Sequence, residues 1–131
     1  MLRLIALTLC LGLPAAQATS LKDFELSKML TKVASESSVG TPRAINEDIL
    51  DQGYTAEGNE LINHLSVRAS HAAQMRANPG TVRNQLKSSV CGNRGYRQLL
   101  AKGAVLRYEF SEYKTNRPVA SQRFTASDCG L

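Results

Sequence analysis

Two cysteines, Cys91 and Cys129, remain once the N-terminal segment is set aside, and they restrict this chain more than any other feature. The third, Cys10, lies inside that segment. Met1–Arg3 supply a short positive start, Leu4–Leu13 are apolar apart from Thr8, and Pro14 precedes the small-x-small pattern Ala16-Gln17-Ala18. This is the layout of a cleavable secretory signal, with the cut expected after Ala18. The apolar run of about ten residues is half the ~20 that a helix needs to span a bilayer, so no stable membrane span is expected. Leu7-Thr8-Leu9-Cys10 fits a lipidation motif only loosely, because Leu9 is bulky and few residues precede Cys10.

Export, to the periplasm or beyond, delivers the two remaining cysteines to an oxidising compartment, where one intramolecular pair is expected. Closing a loop of about 39 residues contributes roughly 4 kcal/mol in the chain-entropy picture. The competing states are two free thiols or a bridge between chains. Residues 19–131 have the length of a single domain with a real core.

Charge is divided along the chain. Residues 19–61 hold four basic and eight acidic side chains, whereas residues 62–131 hold eleven basic and three acidic. The halves can attract one another, or the second can offer a basic face to an anionic partner.

Periodicity predicts a helix over residues 20–36, capped by Ser20 with Asp23, with Leu26, Met29, Leu30 and Val33 on its inner stripe and Phe24 and Leu21 extending it. Pro42 makes the next stretch extended. Residues 45–68 read as a β-hairpin, Ile49–Thr55 and Glu60–Arg68, turning at Ala56-Glu57-Gly58-Asn59. Gly53 weakens the first strand or marks a bulge. Helix propensity around His71–Ala77 leaves residues 60–77 open as a helix instead. A helix follows Asn78-Pro79-Gly80-Thr81, with Val82, Leu86 and Val90 on one face, and ends at Cys91. A shorter one covers Arg94–Lys102, with Gly103 as its cap. Val105–Tyr113 and Val119–Ala126 form the last hairpin. Helix, hairpin, helix pair and hairpin predict an α+β domain whose antiparallel sheet is covered on one face.

Several of these residues together resemble the quorum-sensing-regulated virulence factor family of small exported bacterial proteins. They are the Pro42–Asp51 stretch with Ile45-Asn46-Glu47-Asp48, the strand centred on Leu61, and Val90-Cys91 at a helix end. Leu99-Leu100-Ala101-Lys102-Gly103-Ala104, Leu106-Arg107-Tyr108 and Asp128-Cys129 complete the order. The resemblance implies an exported domain linked to virulence or adhesion under cell-density control, and it implies no catalytic residues. It departs at Asn63 and His64, where related sheets often carry aromatics.

Chemistry-bearing constellations are few. His64 and His71 lack a nucleophile motif, and their spacing supports no metal site. Glu47, Asp48 and Asp51 read as a solvated turn or strand edge. Gly92-Asn93-Arg94-Gly95 reads as a helix–helix turn rather than a nucleic-acid clamp, so no specific nucleic-acid recognition and no cofactor is expected. Arg83, Lys87, Arg94, Arg97 and Lys102 form the candidate site for an anionic ligand such as a surface polymer. The expected function is a non-enzymatic exported binding or effector protein. The alternative is a periplasmic accessory or chaperone-like module that engages another exported chain through a sheet edge.

Overall fold

A computed structural model describes residues 14–131, with side chains from Leu21 onward. The apolar run of the expected signal and Cys10 lie outside the described residues. Helix α1 covers Pro14–Ser37, so Ser20 lies within it rather than at its start. The alanine-rich Ala15-Ala16-Gln17-Ala18 has the propensity to carry the helix back through that point. Leu26, Leu30 and Ala34 form its buried stripe, whereas Leu21 and Phe24, expected to extend it, are exposed because the stripe meets the sheet only from Leu26 onward.

The chain then forms β1 (Arg43–Ala44), β2 (Ile49–Glu57) and β3 (Glu60–Val67). Three helices follow, α2 (Ala69–Ala77), α3 (Pro79–Cys91) and α4 (Arg94–Ala101). Strands β4 (Val105–Glu112) and β5 (Pro118–Phe124) and a 3-10 turn at Ala126–Cys129 complete the fold. The α+β class holds. The helix pair is a trio, because the segment after Val67 turns helical at Ala69; residues 60–77 are strand first and helix after.

The five strands lie in the order β1-β2-β3-β4-β5. Both hairpins are antiparallel, but β3 and β4, where they meet, run parallel. The reason is connectivity. Helices α2–α4 form a crossover that returns the chain to the end from which β3 began, and a strand entering there runs the same way. Gly53 takes a φ of +106° at a bulge next to Asp51. A Cβ there would sit 3.0 Å from Thr41 Oγ1, so space and backbone both select glycine.

One face of the sheet carries the helices. The row Ala56–Leu61–Leu106–Phe124 packs with Leu30, Val90 and Leu100 into one core cluster. Leu65, Val67 and Phe110 pack with Ala72 and Met75 into a second. Cys91 and Cys129 are bonded, joining the end of α3 to the turn after β5.

Candidate functional site

The five basic residues expected to act together are used differently. Arg83 is spent within the fold. Its Nη1 donates to Gln122 Oε1 at 2.9 Å and to the Arg123 carbonyl at 3.2 Å, and its Nη2 donates to Asp128 at 3.3 Å. The guanidinium also lies 4.6 Å from the centre of the Phe124 ring. Asp128 is held below the usual carboxylate range, chiefly by the Thr125 N–H and further by Arg83. Arg97 donates to the Cys91 carbonyl at 3.3 Å, and Lys102 lies 3.9 Å from Met29 Sδ. Lys87 and Arg94 are exposed and make no side-chain hydrogen bond or ion pair among the described residues. Arg94 and Arg97 share a shallow groove of about 410 Å³ with Gln98 and Leu131.

Between the two core clusters runs a polar row that single-strand patterning does not reveal. Pairing places Tyr54, Asn63, Tyr108 and Gln122 side by side on the helix-bearing face. Tyr96 of α4 brings its hydroxyl 3.1 Å from that of Tyr54. Asn63, 4 % exposed, donates to Asp51 Oδ1 at 3.3 Å. Asp51 also accepts the Gly53 N–H at 2.9 Å and faces Arg43 at 3.6 Å. Asp51 is therefore a buried acceptor rather than the solvated strand-edge residue expected from sequence. The bulge turns it toward the helices, where two N–H donors and the Arg43 charge compensate it.

Burial holds the Tyr54 and Tyr108 hydroxyls well above the ordinary phenol range, with nearby Tyr96 adding to the effect. The fold thus favours their neutral forms. Their contribution to stability is complete below the unfolded phenol pKa of ~10 and is lost as pH rises above it. Tyrosinate absorbance from these two residues is expected to appear only as near-UV circular dichroism collapses. Their ionisation in a chain with intact dichroism would contradict the placement.

The other face of the sheet carries a cluster of ion pairs. Arg107 meets Glu60 at 3.0 Å and Glu109 at 2.9 Å, and Arg123 meets Glu60 at 2.6 Å. Ile62, on this uncovered face, is only 2 % exposed. His64 Nε2 and Thr55 Oγ1 lie 2.7 Å apart on the same face, a polar pair with no third group aligned behind it. His71 stands in α2 with Nδ1 3.9 Å from Asp48. Among the described residues no three potential metal ligands converge.

The sheet edges are guarded. Arg76 and Arg83 take the Pro118 and Arg123 carbonyls of β5 at 2.9 and 3.2 Å. At the other edge β1 has two residues, and beyond it Ser38 Oγ accepts the Tyr54 N–H of β2 at 2.8 Å. Side chains thus occupy part of each edge.

The described residues thus form a small α+β domain with a helix-covered sheet and one disulfide. Its fold is shared with the pilotin of the Vibrio vulnificus type 2 secretion system, at TM-score 0.73 and 16 % identity over 86 % of this chain and 98 % of that one. The Vibrio cholerae type II secretion system pilotin is similar at TM-score 0.68 and 20 % identity, over 86 % and 99 %. Residues 19–130 match the family described as "Putative quorum-sensing-regulated virulence factor", and the chain belongs to it. A Pseudomonas aeruginosa protein solved at 1.60 Å and described as "a putative secreted protein" is 77 % identical, with TM-score 0.82 over 83 % of this chain and 96 % of that one. No curated protein sequence matches the chain.

Proposed function

We propose that this chain is a non-enzymatic exported protein, made with a signal ending at Ala18, that acts as an accessory module by binding another exported protein. The observation that carries this reading is the fold it shares with two type II secretion pilotins over almost their whole length. The family and the 77 % identical secreted protein support export and a link to virulence under cell-density control. Because arginines and Ser38 guard the sheet edges, the partner meets side chains rather than an added strand. Of the five basic residues, Lys87 and Arg94, without side-chain partners among the described residues, are left to meet an anionic partner.

Deleting the gene in its host is expected to reduce type II-dependent protein release. Restoring the full chain should recover it, with the protein in the periplasmic fraction. Unchanged release, together with a protein found only in the medium, would reject the accessory role in favour of a secreted effector.

A further inference from the structure

Away from the tyrosine row, on the opposite face of the sheet, the parallel strands β3 and β4 end beside the start of β2. A cavity of about 360 Å³ opens there. This lies within the ~300–1,000 Å³ typical of small-ligand sites. Ala44, Leu50 and Tyr113 give it an apolar wall, and Ser66 lies at its floor. Tyr113 is 51 % exposed although it is a large aromatic, and neighbouring Ile45 is 56 % exposed.

The lining also carries opposite charges that have no side-chain partner among the described residues. Arg68 follows β3 and is exposed, and its guanidinium makes no hydrogen bond or ion pair among the described residues. Glu47 is exposed and equally unengaged. The loop that presents Glu47 is ordered by Asn46, whose Oδ1 accepts the Asp48 and Ile49 N–H groups at 2.8 and 2.9 Å. The backbone beneath Arg68 is fixed as well, because its N–H donates to the Asp48 carbonyl at 2.9 Å. Elsewhere on this face Arg107 and Arg123 are paired with glutamates. At the cavity the cation and the anion are instead available to a ligand.

We infer that this cavity binds a short zwitterionic peptide with an apolar side chain. Its carboxylate meets Arg68, its ammonium meets Glu47, and its side chain lies against Leu50 and Tyr113. A guanidinium offers a carboxylate two parallel N–H donors, which sets the direction of the peptide. The apolar wall selects for the side chain and excludes purely polar zwitterions.

The dipeptide Ala-Leu is the probe, followed by amide NMR of the full mature protein. Saturable shifts are expected at Leu50, Ser66 and Tyr113. Arg68→Gln and Glu47→Gln should each weaken binding about tenfold, the scale of a lost charge-assisted hydrogen bond. Both residues are exposed, so the variants should melt like the parent. Acetylating the peptide amine should mimic Glu47→Gln, and amidating the carboxylate should mimic Arg68→Gln. The absence of saturable shifts at ~10 mM peptide, tenfold above a millimolar Kd, overturns the proposal. Shifts that survive both substitutions overturn it too.

Discussion

Replacing Cys91 and Cys129 together with serine is expected to lower the unfolding free energy by about 4 kcal/mol. The two residues are 38 positions apart, and the chain-entropy relation gives that figure for a loop of this length. The loop contains α4 and the whole β4–β5 hairpin, so in the unfolded state the bridge restrains nearly a third of the chain. In the folded state it keeps the turn at Ala126–Cys129 against α3 and α4, where Asp128 meets Arg83. Urea unfolding of the parent, the double serine variant and the parent under reductant measures the loss. The last two should coincide. A loss below about 1 kcal/mol would mean that packing alone holds this corner, since typical domains have ~5–15 kcal/mol in all.

Phe124→Ala is the second large effect, expected at about 3–5 kcal/mol. Phe124 is fully buried and stands opposite Leu106 in the sheet. Its ring meets Tyr108 edge-on, with centroids 6.2 Å apart, and the Arg83 guanidinium covers it. Truncation therefore removes apolar contacts, an aromatic pair and the platform of a cation at once. The surrounding elements cannot close the gap easily, because the disulfide fixes α3 to the turn that follows Phe124. Val119→Ala on the same strand, at a half-buried position, should cost far less. If the two variants melted alike, the assignment of Phe124 as the keystone of this core would be wrong.

Much of this core is legible in sequence. Leu106–Ser111 alternates, Val82, Leu86 and Val90 recur every fourth residue, and the cysteines flank the right elements. Each of those signals is local. The parallel meeting of β3 and β4 is not local, because nothing in either strand's pattern states which neighbour it has. Helix α2 gives a weak signal since only Ala72 and Met75 of its nine residues are buried. The tyrosine row requires the register of four strands before it exists at all. Arg83 and Lys87, four residues apart, read as one basic face. What separates them is that Arg83 finds Gln122, Asp128 and a strand carbonyl within reach, and sequence spacing does not carry that information. Arg68 and Glu47 are each unremarkable surface charges until the ends of β2 and β3 set them around one cavity.

The parallel seam between β3 and β4 also governs how the molecule comes into being. A chain delivered amino end first can complete α1 and the β2–β3 hairpin while the rest is still to come. Leu61, Leu65 and Val67 then lie along a strand whose lasting neighbours, Leu106 and Phe110, arrive some 45 residues later in the sequence. Until three helices have formed and swung the second hairpin into place, the half-built sheet presents an open apolar border. That border is the stage at which a misstep would lead to aggregation, and at which a helper protein would have the most to offer. Joining of the two halves, rather than growth of either one, is the step expected to set the rate of folding.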